Sequence, residues 1–294
     1  MSTLFATKAM KINKLTPGKH KYLDGLEAIS KPPKNMFFRG TIPVNRQTTV
    51  AIVGTRKPSS YGKEVTHTLA RDLSKYGVII VSGLALGTDG IAHRAALEAG
   101  GITLAVLANS VDQIYPRSHQ SLAEQIIDKG GAVLSEYEPP TDPRNYQFLA
   151  RNRIVSGISD AIIITEAAIR SGTLSTATHA LEQGKEVFVV PGNITSPLSA
   201  GCNALLKQGA HPATCAEDIL EIIAPSLLQK AKPTPLGSTP LESKIIELIT
   251  GGIRDGDELQ QLAKTNVTEF NQTITMMEIN GLVRSLGANN WTIL

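Results

Sequence analysis

The chain has 294 residues, 41% of them hydrophobic and 19% charged, with 25 glycines and 16 prolines. That is globular usage, which excludes disorder, a collagen repeat or a coiled coil for the chain as a whole, and no apolar run approaches the roughly 18 residues of a membrane helix. The net charge of +3 is unevenly spread: residues 1–47 carry nine Lys/Arg against two acids, residues 48–225 fourteen against seventeen, and residues 241–294 four against seven. Bulk charge therefore does not demand nucleic acid, and any anion site must come from local arrangement. Cys202 and Cys215 are too few for a disulfide framework or a zinc knuckle and read as free thiols in a reducing compartment. Lys8, Lys11 and Lys14 interrupt any N-terminal signal core, so a cytoplasmic location is the expectation.

Residues 1–47 form a basic extension expected to pack onto, or lead into, a sheet. From residue 48 short apolar runs alternate with helical stretches. The runs are Thr49–Val53, Val78–Val81, Thr103–Leu107, Ala132–Leu134, Ala161–Thr165 and Val187–Val190. They are apolar on consecutive rather than alternate positions, the pattern of strands buried on both faces of a parallel sheet. Helices are expected at Gly62–Lys75, Gly90–Ala99, Gln120–Lys129 and Leu174–Glu182. Residues 48–223 thus read as a doubly wound, Rossmann-like α/β domain. Residues 224–240 hold four prolines and little periodicity, and read as a linker. Residues 241–294 then read as three helices and a hairpin, a small winged-helix domain, with Asp257 and Thr268 as candidate caps of its second and third helices.

Ligands of open α/β sheets sit at the C-terminal ends of the strands, so the loops there are read as one site. The first, GTRKPSSYG at 54–62, offers Gly54 for close backbone approach, Arg56 with its planar fork, Lys57 beside it, and Ser59 before a helix N-terminus. The second, SGLALGTD at 82–89, has Ser82, and Gly83 and Gly87 could let several amides converge on an anion. Asp89 reads as a helix cap whose carboxylate meets His93 one turn later. The third, RNYQFLARNR at 144–153, interleaves Arg144, Arg151 and Arg153 with Tyr146 and Phe148 and includes Asn152. Cations that track a backbone beside rings that stack bases are what a single strand needs. The plainer reading puts Phe148 in the core and pairs Arg153 with Glu166 or Asp160. The fourth loop, SGTLSTA at 171–177, adds Ser171, Gly172 and Thr173 where a helix begins. There is no Walker lysine motif, no Gly-x-Gly-x-x-Gly after the first strand, no metal-binding His pair and no nucleophile elbow. A phosphodiester chain suits these absences better than a dinucleotide or ATP, and no cofactor is expected.

Taken together, Gly54-x-Arg56-x-x-Ser59-x-Tyr61-Gly62, Ser82-Gly83-x-Ala85-x-Gly87-x-Asp89, Ala92-His93, Tyr115-Pro116, Ser135-Glu136, Phe148 with Arg151-Asn152-Arg153, Ser171-Gly172-Thr173 and Pro191-Gly192 resemble the DNA-processing protein A (DprA/Smf) family, in order from about Tyr22 to Ala210. Thr88, Ala108, Ser110 and Leu149 depart from the family's usual residues and question local geometry rather than the basic contacts. The resemblance implies a single-stranded DNA-binding protein without catalysis. Such a protein would be dimeric through the Rossmann-like domain, would protect incoming strands and would help load RecA recombinase in natural transformation. It implies phosphate contacts at Arg56 and around Gly54, Ser82 and Gly83, with Arg144 near the family's basic position and Phe148 facing a base. The N-terminal sterile-alpha-motif-like domain of many members is not expected in the short stretch before Thr49.

Two other readings compete. Rossmann-like phosphoribohydrolases carry a catalytic Glu in Pro-Gly-Gly-x-Gly-Thr-x-x-Glu, but Thr176 occupies that place here, and a threonine cannot do acid–base work. The third helix of the C-terminal domain has Glu269 and Glu278 and no Lys or Arg. A contact to protein is therefore expected of that domain rather than reading of duplex DNA, and the second competing reading is a plain interaction module in which this acidic domain binds a partner and the α/β domain is scaffold.

Overall fold

The computed structural model describes residues 11–230 and 237–293. The chain divides into two compact units, Met1–Leu228 and Gln229–Leu294.

The first unit is built on a nine-stranded sheet. Its strands are β1 (Asn13–Leu15), β2 (Met36–Gly40), β3 (Thr49–Val53), β4 (Ile79–Ser82), β5 (Thr103–Val106), β6 (Ala132–Ser135), β7 (Ala161–Ile164), β8 (Glu186–Val189) and β9 (His211–Pro212), in the spatial order β1-β2-β6-β5-β4-β3-β7-β8-β9. All neighbours from β6 to β9 are parallel, while β2 runs antiparallel to β6 and β1 antiparallel to β2. The helices are α1 (Ser60–Lys75), α2 (Thr88–Glu98), α3 (Gln120–Asp128), α4 (Asn145–Gly157), α5 (Thr173–Glu182), α6 (Ala200–Lys207), α7 (Ala216–Ile223) and α8 (Pro225–Lys230).

Every residue of β3, β4, β5, β6 and β7 is buried, which is why these strands read as continuous apolar runs. Alternate residues feed the two faces. Ala51 and Val53 of β3 join α4 and α5 in one core, with Ile154, Val155, Ala177 and Ala180. Val50 and Ile52 join α1, α2 and α7 in the other, with Leu69, Leu73, Ala95 and Ile219. The sheet is thus covered on both sides, as a doubly wound fold requires.

Two expectations change. Residues 13–47 belong to the sheet unit rather than only leading into it. β1 and β2 extend the sheet, and Tyr22, Leu23 and Leu26 are at most 1% exposed in the same core as β3. Part of this segment's basic charge is used internally, since Arg39 pairs with Glu124 at 2.7 Å and Arg46 with Asp160 at 2.5 Å. Lys8 lies outside the described residues. The segment read as linker begins as structure: Leu227 and Leu228 of α8 pack on the core beside α7. Residues 231–236 of that linker lie outside the described residues.

The second unit holds α9 (Pro240–Thr250), α10 (Gly256–Leu262), α11 (Val267–Ile279) and the antiparallel hairpin β10 (Val283–Gly287) and β11 (Asn290–Ile293). Its own core is built on Ile245, Ile246, Ile249, Leu259, Phe270, Ile274, Met277 and Val283. The caps fall two residues before the expected ones. The Asp255 carboxylate accepts from the Asp257 and Glu258 amides, and the Asn266 side-chain oxygen Oδ1 from the Glu269 amide at 2.9 Å. The side chain that lies before the first helical residue is the one able to turn back on it.

Among the described residues no helix is long and apolar enough to cross a membrane.

Candidate nucleic-acid interface

β3 lies where the strand order turns: β4, β5 and β6 lie to one side, β7 and β8 to the other. The loops leaving β3 and β7 therefore part and open a crevice at the C-terminal edge of the sheet. The crevice is a cleft of about 270 Å³. Its walls are residues 53–56 after β3, Gly83, Ala85 and Asp89 after β4, the α4 face from Phe148 to Val155, and Ser171, Gly172, Thr173 and Thr176 at the start of α5.

Of the expected site residues, Gly54, Arg56, Gly83, Phe148, Arg151, Asn152, Ser171, Gly172 and Thr173 line this cleft. The loops are tied together by short polar contacts. The Thr173 hydroxyl donates to the Gly54 carbonyl at 3.0 Å, and the Asn152 side-chain amide donates to Ser175 Oγ at 2.9 Å. The first turn of α5 forms part of the wall, so the positive end of that helix's dipole is presented to the cleft.

The arginines differ in state. Arg56 is exposed and enters no ion pair among the described residues. Its guanidinium carbon lies 5.1 Å from the centroid of the Phe148 ring, within cation–π range. Phe148 in turn packs against Tyr115, centroids 5.7 Å apart with the rings tilted by 59°. The result is a row of cation, ring and ring along the rim. Arg151 is 5% exposed, and its Nη1 donates to the Val106 carbonyl at 2.5 Å. A Cβ at Gly83 would fall inside the Arg151 guanidinium, so glycine there is what lets the side chain reach this position. Burial lowers the pKa of Arg151 and the Arg56 charge adds to that, while the Asp89 charge opposes it.

The amide nest expected to receive an outside anion is occupied from within. Asp89 Oδ2 accepts from the Gly83 amide at 3.1 Å and the Ala85 amide at 3.2 Å. Asp89 accordingly does not cap α2 or meet His93; Gly87 is the N-cap. His93 is fully buried. The Thr103 hydroxyl donates to the Ile80 carbonyl, so His93 Nδ1 is the donor in its 2.6 Å contact with Thr103 Oγ1.

Six expected residues stand outside the cleft. Ser59 caps α1 and is clamped by Glu166, its amide and hydroxyl donating to that carboxylate at 2.9 and 2.6 Å. Ser82 is buried and donates to the Ile52 carbonyl at 2.7 Å. Gly87 has φ +77°, and a Cβ there would meet the Thr55 carbonyl oxygen and the Arg56 backbone at 2.5–2.6 Å. Its role is to let two loops touch. Lys57 is exposed, its amide donating to Thr55 Oγ1. Arg144 is the exposed N-cap residue of α4. Arg153 pairs with Glu136 at 2.5 Å, both side chains under one-fifth exposed, instead of with Glu166 or Asp160.

Sequence reasoning singled out neither Tyr115 nor Glu166 as part of the site's construction. Tyr115 closes the loop after β5, so the strand-end rule that selected the other loops applies to it as well. Glu166 stands just after β7, and Gly62 leaves the space its carboxylate fills.

The profile of the DNA recombination-mediator protein A family matches residues 13–224, which takes in the sheet from β1 and every loop of the cleft. The DNA processing protein DprA of Bacillus subtilis is 39% identical over 231 residues, 78% of this chain and 77% of that protein. The protein Smf of Escherichia coli is 44% identical over 200 residues, 68% of this chain, and the match spans only 54% of that longer protein. Among solved structures, DNA processing protein A of Streptococcus pneumoniae superposes with a TM-score of 0.68 at 37% identity, covering 72% of this chain and 75% of that one. DNA processing protein A of Helicobacter pylori, whose structure concerns its single-stranded DNA binding mode, superposes with a TM-score of 0.64 at 36% identity, covering 76% and 98%. The loops that suggested the resemblance are thus carried on the matching fold, and the chain belongs to the DNA processing protein A (DprA/Smf) family.

Proposed function

We propose that the cleft binds single-stranded DNA, and that the protein works as a homodimer which shields incoming strands and helps load RecA during natural transformation. The observation that carries the DNA reading is the row Arg56–Phe148–Tyr115 on the rim of a cleft that also holds Arg151 and the start of α5. A free guanidinium can take a backbone phosphate while the rings offer faces to bases, a combination indifferent to sequence. Its supports outside the geometry are family membership and the Helicobacter pylori relative, described as a single-stranded DNA binder. The partner and assembly parts rest on the family resemblance.

Acid–base chemistry finds little to work with. Thr176, buried in the cleft wall, stands where the phosphoribohydrolase Glu would be, and the one carboxylate lining the cleft, Asp89, is held by two backbone amides. We read the second unit as a winged helix that contacts protein, because α11 carries no Lys or Arg.

Fluorescence anisotropy with a labelled single-stranded oligonucleotide, with the matching duplex as competitor, tests the reading. Wild type should bind the single strand with salt-sensitive affinity and Arg56→Ala should lose most of it. Affinity indifferent to Arg56→Ala would sink the proposal. RecA filament nucleation on coated single strands, with and without the protein, tests the loading step.

A further inference from the structure

The turn at 82–87, after β4, has the build of an anion site whose occupant belongs to the chain itself. Leu84 is fully buried with φ +56°, a left-handed conformation that a bulky side chain rarely takes. The buried His119 donates from Nδ1 to the Leu84 carbonyl at 2.9 Å, which helps hold the turn in that conformation. The amides on either side of Leu84, those of Gly83 and Ala85, then converge on one spot, as the amides of a phosphate nest do. Asp89 Oδ2 fills that spot, accepting from them at 3.1 and 3.2 Å. Helix capping does not account for the carboxylate, because Asp89 lies within the first turn of α2 and Gly87 is the N-cap. A cation stands by as well. Arg151 is 5% exposed, its guanidinium lies against Gly83, and its Nε has no hydrogen-bond partner among the described residues. Gly83, Ala85, Asp89 and Arg151 all line the cleft, so loss of the carboxylate would offer two amides and a buried guanidinium to whatever enters it.

We propose that Asp89 is a built-in stand-in for a compact phosphate and sets the specificity of the cleft: it closes the nest to orthophosphate and to the terminal phosphates of free nucleotides. The cleft is thereby left to strands, whose phosphodiesters bind at the rim through Arg56. The inference rests on the reading of the cleft as a single-strand site and names the ligand class that the site turns away. A terminal phosphate carries about two negative charges at neutral pH and a phosphodiester one, so a fixed carboxylate in the nest repels the first more strongly. It also takes the amides that only a deeply inserted phosphate could reach. A phosphate that stays beside the exposed Arg56 has no need of them.

The test titrates the full chain with inorganic phosphate and with thymidine monophosphate, chloride holding the ionic strength constant, in wild type, Asp89→Ala and Asp89→Asn. Asp89→Ala should bind both ligands at least about ten-fold more tightly than wild type. Its melting temperature should climb with phosphate concentration while that of wild type stays level, and the NMR signals of the Gly83 and Ala85 amides should move with phosphate in the variant alone. Asp89→Asn keeps an oxygen for the two amides but drops the charge, so it guards against a failure of Asp89→Ala to fold. It should fall between wild type and Asp89→Ala. In a competition with a labelled oligonucleotide, millimolar thymidine monophosphate should displace the strand from the variants and not from wild type. Variants that gain no phosphate affinity, or a gain that leaves the Gly83 and Ala85 signals in place, would overturn the stand-in without touching strand binding through Arg56. If the variants gain phosphate but wild type binds no strand, the cleft reading fails instead, and the selection of strand over nucleotide falls with it.

Discussion

Burial decides what each arginine of the α4 region can do. Arg153 and Glu136 form a 2.5 Å pair with side chains 11% and 17% exposed, and removing the cation leaves a carboxylate stranded in a poorly solvated place. Arg153→Ala should cost about 3 kcal/mol in urea unfolding while leaving the salt dependence of DNA binding as it was. Arg56→Ala should do the reverse, with stability changed by less than about 0.5 kcal/mol and the salt slope reduced by about one. Equal loss of binding in both, at unchanged stability, would move Arg153 into the site. His93 makes a separate prediction. Burial pushes its pKa down to about 3, with nearby positive charge adding to the effect, so the folded protein keeps the imidazole neutral while the unfolded chain protonates it below about 6.5. The unfolded state then binds more protons, and stability falls as pH drops from about 6.5 toward 3. The slope is about 1.4 kcal/mol per pH unit. Urea melts at pH 6.5 and pH 5 should differ by about 2 kcal/mol in wild type from this residue alone, and His93→Gln should lessen that difference. An identical acid dependence in the variant would exclude His93 as its source.

At the scale of elements, the site depends on loops pressed against one another. Gly87 has φ +77°, and its missing Cβ is where the Thr55 and Arg56 backbone passes. Gly87→Ala should therefore cost about 2 kcal/mol or more and weaken DNA binding by displacing the Arg56 loop, measured by thermal melt and titration on one preparation. Unchanged values in both would mean the loops can part freely. The central strands were legible in the sequence because burial on both faces leaves a continuous apolar run. α1 was legible from Gly62 to Lys75, while its start at Ser60 was not, because Ser59 read as a donor to phosphate rather than as the cap it is. α4 was not legible as a helix. It buries Gln147 and Arg151 along with Ile154 and Val155, so the contrast between its faces is blurred by the polar groups that build the cleft. The strand β2 was hidden for a similar reason, since Arg39 is buried by its contact with Glu124. The glycine loops were read as a nest for an outside anion because sequence shows which amides are free to converge. It does not show that Asp89 reaches them first.

At the scale of the whole molecule, the cores separate along the chain. The three apolar clusters of the first unit draw on residues up to Leu228, and that of the second unit on residues from Leu241 to Ile293. All lining residues of the cleft lie between Val53 and Thr176. The charge also divides, since residues 241–294 hold seven acids against four bases and would repel rather than attract a phosphate backbone. A chain ending after Leu228 should therefore fold and bind single-stranded DNA within about two-fold of full-length affinity at the same salt concentration. The same truncation should fail in any step that needs the second unit's protein contact, such as RecA nucleation on coated strands. A large loss of DNA affinity in a truncated chain that melts cooperatively would assign DNA contact to the second unit, despite the absence of Lys and Arg from α11. Wild-type behaviour in both assays would leave the second unit with no part in DNA handling. The informative result is the split, DNA affinity kept and nucleation lost, because only a unit that touches protein and not DNA produces it.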